Sequence, residues 1–208
     1  FTLVDETDMV DIWHMFVYSK GKYLDAFDHG RLIDTRERRR IVGDFTVSIL
    51  DQMTERTHSD SVVRAWSNFD THGYTTAPFF LMEHPEKVGV GVSIPWRAML
   101  PKGLEGIAVT GLSISAERDA VPLIRMQPDI QNGGYACGVA AAMAAETNTP
   151  VRHIDIKMLQ QHLVDIENLP ESVLEDQDSY PLSDEVIAQA VQTLKDGKGA
   201  AAIMTDPN

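Results

Sequence analysis

Cysteine is almost missing from this chain: Cys137 is the single one among 208 residues, which rules out an internal disulfide. Basic side chains are scarce as well, with 18 Lys and Arg against 31 Asp and Glu and a net charge of -13. Nucleic acid and anionic membrane surfaces are recognised through clustered Lys and Arg, so neither is expected as a partner. No apolar run approaches the roughly 20 residues that span a bilayer, and the chain reads as soluble. The histidines show no ligand spacing with Cys137 or with one another, so no metal site is expected. A Gly-x-Gly-x-x-Gly loop between strand and helix is missing too. The nearest text, Gly89-Val90-Gly91-Val92-Ser93, runs into Ile94-Pro95 and reads as a strand. What remains is 43% hydrophobic, enough for one sizeable core or two small ones.

The most organised stretch runs from Gly106 to Glu146. The apolar run Ile107 to Val109, stopping at Gly111, predicts a buried strand entering a turn. A polar connection and the pair Gly133-Gly134 lead into the Ala-rich run Tyr135 to Ala145, which predicts a helix. A helix that starts on glycines presents unpaired N–H groups at its positive dipole end, which suits an anionic or carbonyl-rich ligand.

Upstream, Met9, Ile12, Trp13, Phe16, Val17, Leu24 and Phe27 have helical spacing, with Thr7 or Asp5 as cap and the aromatic stripe expected in the core. From Leu32 to Val42 a period of two places Arg36, Arg38 and Arg40 on one strand face. That run is either a solvated edge strand or a set of guanidinium forks aimed at an anionic or carbonyl group. Ser48 and Asp51 form a capping box for a helix over Ile49 to Glu55. Within Asp70-Thr71-His72-Gly73, His72 is either a loop histidine bonded to Asp70 or a proton acceptor. Tyr74 to Phe80 and Val88 to Ile94 predict antiparallel strands, and Trp96 and Arg97 belong to the core or to a cleft.

GLSISAERDAVPLIRMQPDIQNGGYACGVAAAMA resembles the closing cofactor-contact segment of the FAD-dependent oxidoreductases related to glutathione-reductase-type flavoproteins. In that family a last strand ends in Gly-x-x-x-Ser, an Arg follows, and a Gly-x-Ala-x-Gly helix starts beneath the flavin. Here Gly111, Ser115, Arg125, Gly134, Ala136 and Gly138 occur in that order. The blocks IDTRERRRIVGDFTVSILDQ, SNFDTHGY and SIPWRAMLPKGLEGIAVTG resemble the substrate-domain half, so the likeness covers most of residues 30 to 165. The resemblance implies FAD as cofactor, contacted by Gly111, Ser115, Arg125, Asn132, Gly133, Gly134, Tyr135 and Gly138. It implies a small organic substrate, with Arg36 in the cleft and His72 taking a proton while hydride leaves to the ring. Relatives place an Asp after the last strand for the ribityl chain; Leu112-Ser113-Ile114-Ser115 stands here, and Ser115 is the substitute. Without the dinucleotide loop, and beginning at Phe1, the chain reads as a C-terminal piece of a longer flavoprotein, inactive alone.

Two rivals stand beside this. Cys137, in the first turn of the expected helix, would have a lowered pKa and serve as a nucleophile. Beyond the Asn148-Thr149-Pro150 break, one amphipathic helix begins near Asp155 with Ile156, Leu159, Leu163 and Ile166. Another is capped by Ser183 and ended by Gly197. These two suggest a non-catalytic interaction module. The expected fold is α+β: a mixed-sheet substrate domain over 1–105, a terminal strand-helix unit of a FAD-binding domain over 106–147, and a helical tail over 148–208.

Overall fold

The computed structural model describes residues 5, 8–25, 39–67, 77 and 90–197. They form helices and one small antiparallel sheet, an α+β composition. The chain divides into two units, Phe1–Arg39 and Arg40–Asn208.

In the first unit, helix α1 spans Met9–Lys22. Its cap is Asp8, whose carboxylate accepts the Val10 N–H at 2.8 Å, rather than the expected Asp5 or Thr7; Thr7 lies outside the described residues. Of the expected core stripe, Ile12 and Phe16 are half-buried, whereas Trp13 is 66% exposed and Met9 and Leu24 are more so; Phe27 lies outside the described residues. Helical spacing puts apolar residues on one face, but what covers that face is not local information.

In the second unit, helix α2 (Ile49–Met53) carries the full capping box. Ser48 Oγ accepts the Asp51 N–H at 3.2 Å, and Asp51 Oδ2 accepts the Ser48 N–H at 2.7 Å. Glu55, at φ 48°, ends the helix short of the expected boundary. Strands β1 (Ser61–Ser67) and β2 (Val90–Pro95) pair antiparallel, with Val63 opposite Ile94 and Ala65 opposite Val92. Gly91 to Ser93 are thus strand residues, as the sequence indicated. The partner expected for β2, Tyr74 to Phe80, lies outside the described residues apart from Ala77. The inward set of Val63, Ala65, Val92 and Ile94 is buried, while Arg64 and Trp66 point outward by the two-residue period.

The expected strand at Ile107 to Val109 is absent. Val109 N–H does bond to Met99 O at 2.8 Å, yet no ladder follows, and Ile107 is exposed. The run is three residues long between Gly106 (φ 71°) and Gly111 (φ 73°), and both left-handed glycines bend the chain out of extension. After them come the short helix α3 (Val121–Ile124) and the long helix α4 (Gln127–Thr147), which ends on left-handed Asn148 as the break at Asn148-Thr149-Pro150 implied.

Helix α4 lies on the core through Gly133, Ala136 and Ala140. A Cβ at Gly133 would sit 3.2 Å from Thr110 Oγ1 and 3.3 Å from Met99 Cε, so the small residues set how near the helix backbone comes. Helix α5 (Ile156–Asp165) is capped by Asp155 and buries Leu159 and Leu163 completely, each worth about 1.5–3 kcal/mol against exposure. Helix α6 (Asp184–Lys195), capped by Ser183, leaves Val186, Ile187, Val191 and Leu194 exposed.

Candidate functional site

The long helix starts earlier than its alanine content suggested. Pro128 and Asp129 sit in its first turn, and Ile130 N–H already bonds to Met126 O at 3.0 Å. Gly133 and Gly134 therefore lie inside the helix, where N–H groups bond to carbonyls four residues back. The expected donation to a ligand from the N–H groups of Gly133, Gly134 and Tyr135 is overturned by this geometry. The two glycines differ in surroundings. Gly133 packs on the core, whereas Gly134 and Gly138, one turn apart, face open space, where a Cβ would meet nothing within 4 Å.

A crevice opens beside the first turns of α4. Thr110, Gly111, Asp129, Ile130 and Gly133 line it over a floor that includes Met99, and its volume is about 10 Å³. Gly111 opens the turn Gly111–Ser113 with its left-handed backbone, which brings Thr110 and Gly111 against the helix. Asp129 is buried; burial pushes its carboxyl up to about 6, and the Trp66 N–H acts in the opposite direction. The remaining predicted contacts do not converge there. Ser115 is buried, with its Oγ 2.9 Å from Thr46 Oγ1. Arg125 caps the end of α3, and Asn132 is half-buried on α4. Arg36 and His72 lie outside the described residues.

On the outer side of α4, Tyr135 stacks on His162 of α5 with ring centroids 6.0 Å apart, and Tyr135 OH shares a hydrogen bond with His162 Nε2 at 3.0 Å. Trp96 is buried core. Arg97 Nε and Nη2 each donate to Asp60 at 3.0 Å, and Nη2 donates to Asp178 at 2.8 Å. Burial pushes the Asp178 carboxyl up, but the Ser59 N–H and the Arg97 charge outweigh it and hold it below its ordinary value. Arg97 is therefore a tie between segments distant in sequence. Among the described residues no group of three or more His, Cys, Asp or Glu is arranged to hold a metal ion, and no helix is long and apolar enough to cross a membrane.

Cys137 sits well inside α4 rather than in its first turn, so the dipole argument for a lowered pKa fails. Burial pushes the thiol up to about 11, against a smaller pull from the Thr110 side chain, and Sγ lies 3.7 Å from Met99 Sδ. At neutral pH its thiolate fraction is about a hundredfold below that of a free thiol. Cys137 in the native chain will accordingly react with an aromatic disulfide reagent roughly a hundredfold more slowly than in the urea-unfolded chain. Equal rates would restore the nucleophile.

Asp129, Thr110 and the Tyr135–His162 pair escaped the sequence reading. The signal for Asp129 was present: Pro followed by an acid marks a helix's first turn. The other contacts pair positions too far apart in the chain for spacing to reveal. Against known proteins, a family model described as FAD dependent oxidoreductase matches residues 14–163. No curated protein and no solved structure matches the chain.

Proposed function

Because the chain belongs to the FAD-dependent oxidoreductase family, we propose that it is the C-terminal, cofactor-facing part of a flavoenzyme, related to the glutathione-reductase type, that moves a hydride between FAD and an organic substrate. The observation that carries this reading is the span of the family match, which includes the Arg block, His72 and the whole of α4. Bound FAD supplies the two-electron acceptor or donor.

The residues fit one side of such a cofactor. Gly134 and Gly138 leave the α4 backbone open to a flat group, since a Cβ at either would meet no atom within 4 Å. Asp129, one turn before Gly133, lies on the opposite, core-facing side of the helix and is not part of that open face. The fit does not extend to Ser115, which is committed to Thr46, nor to a pyrophosphate loop, which the sequence lacks. In this reading His72 accepts the substrate's hydroxyl proton and Arg36 holds a carboxylate or carbonyl oxygen.

The visible absorption spectrum tests the reading. The purified full-length gene product will carry flavin bands, and the 208-residue chain alone, lacking the dinucleotide loop, will bind added FAD weakly and will not turn over. A colourless full-length product without FAD affinity would remove the cofactor role; turnover by this chain alone would remove the partial-enzyme reading.

A further inference from the structure

Residues 175–197, which carry helix α6, bury no side chain, so apolar packing does little to hold them in place; Val173 is the last buried residue before them. The ties that reach this stretch are polar, and they join residues 177–180 to residues 56–59. Thr57 Oγ1 donates to Gln177 O at 2.8 Å, and Ser179 N–H donates to Thr57 O at 3.2 Å. Thr57 N–H donates to Ser179 Oγ at 3.2 Å, and the Arg56 guanidinium lies over the Tyr180 ring. Asp178 is the pin of this strap: its Oδ1 accepts from Ser59 N–H at 3.1 Å and from Arg97 Nη2 at 2.8 Å. A segment fastened through exposed polar bonds opens at far lower cost than a packed core does.

The second observation is the histidine beside the pin. His58 is 3% exposed and meets Phe45 edge-on with ring centroids 4.9 Å apart. Its Nε2 is enclosed without a hydrogen-bond partner, and its Nδ1 stands 3.9 Å from Asp178 Oδ1, beyond hydrogen-bond range. The charged groups around it are Asp60 in its own turn, Asp51 on α2, Arg97 after β2 and Asp178 on the strap. Burial holds the imidazole below its ordinary value; the carboxylates, Asp60 foremost, pull it up, and Arg97 pushes it down. The strapped arrangement thus favours a neutral ring. Lifting Asp178 away opens the Nδ1 side to water, where the ring charges at its ordinary value.

We propose that residues 175–197 form a detachable arm, pinned to the body by Asp178 and released in mild acid by protonation of His58, while the sheet and helix α4 stay folded. The arm carries the amphipathic helix α6 with it, and the device is independent of any cofactor. The sign follows from which state binds more protons. His58 lies below its ordinary 6.5 when strapped and regains that value when released, so release is favoured as pH falls below 6.5. Asp178 is also held below its ordinary value when strapped, by the Ser59 N–H and the Arg97 charge, which outweigh its burial. Its protonation at still lower pH acts in the same direction.

Hydrogen–deuterium exchange of the full-length gene product tests this at pH 7.4 and pH 5, with labelling times scaled for the intrinsic exchange rate. The readout is the protection of peptides covering 56–60 and 177–180, with α4 as the internal reference. In the wild type both peptides will lose protection about threefold or more between the two pH values. The ceiling is about thirtyfold, set by the 1.5 pH units below the ordinary histidine value of 6.5. Asp178→Asn, at an exposed position, will lose about threefold to tenfold already at pH 7.4, because a charged acceptor becomes a neutral one. His58→Phe keeps the edge contact with Phe45 and cannot titrate, so its protection will be the same at both pH values. Wild-type protection that does not change with pH overturns the proposal. So does an Asp178→Asn chain as protected as the wild type, or a loss in α4 that matches the loss in the arm. A pH dependence that survives in His58→Phe removes His58 as the trigger and overturns it too. Should His58→Phe fail to fold by circular dichroism, the wild-type profile and Asp178→Asn decide.

Discussion

In the flavoenzyme proposed above, His72→Ala will slow reduction of the flavin by substrate by about 10²–10⁴-fold, the usual contribution of a positioned general base. FAD affinity will stay within about twofold, because the role assigned to His72 is on the substrate and not on the cofactor. In the proposed reading hydride leaves a carbon whose hydroxyl must also lose its proton, and without His72 no positioned base takes it. His72→Gln keeps a hydrogen-bonding side chain but cannot take the proton, so it should be as slow as the alanine variant. Anaerobic stopped-flow bleaching of the flavin band measures this directly, and the variant should also lose the pH-dependent limb of the wild-type rate. If both variants bleach at the wild-type rate, His72 is a loop histidine paired with Asp70 and the proton goes elsewhere.

Arg152→Met will lower the unfolding midpoint of the chain by roughly 4–12 °C, which corresponds to about 2–3 kcal/mol for a protein of this size. Arg152 stands in the turn Val151–His153, just beyond the break after α4. Its Nη1 pairs with the Asp44 carboxylate, and Nη2 donates to Pro101 O at 2.7 Å and to Leu104 O at 2.8 Å. Nε donates to Glu105 at 3.0 Å. One planar fork thus fastens the segment after α4 to the 101–105 turn and to residue 44.

Burial decides which of these bonds matter. Glu105 is 60% exposed and its pairing contributes little, whereas the Arg152 side chain is 16% exposed and Asp44 30%. The effect falls short of the roughly 3–5 kcal/mol typical of a fully buried pair, because water can reach Asp44 once the guanidinium is gone. Arg152→Lys should recover less than half of the loss: an ammonium keeps the charge but cannot span a carboxylate and two carbonyls at once. Circular-dichroism melts of the three proteins provide the comparison, and a drop of under about 1 °C for the methionine variant would mean that water replaces every bond at no cost.

The features legible in the sequence were those whose cause lies within a few residues. Ser48 with Asp51, Asp155, Ser183 and Asn148 terminate helices where their side chains or backbone preferences said they would. Leu159 and Leu163 point into the core as their spacing required. Errors came where two local signals competed. The Ala-rich run after Gly134 outweighed the quieter Gln127-Pro128-Asp129 start, and the first turn, with its carboxylate, was misplaced by two turns of helix. β1 was overlooked because its outward Arg64 and Trp66 break up an otherwise apolar run, while Ile107 to Val109 looked like a strand and had no neighbour with which to form a ladder.

By itself the sequence determined the chain's family, its acidic charge, the want of a dinucleotide loop, and the positions where helices are capped, since each depends on composition or on contacts spanning a few residues. Tertiary structure alone decided that Arg97 holds Asp60 and Asp178, that Arg152 holds Asp44, and that Asp129 ends up walled in beside Thr110 and Gly111. Those partners are brought together by the packing of α4 and α5 on β1, and burial, which sets both the cost of a charge and its pKa, exists only once that packing has excluded water.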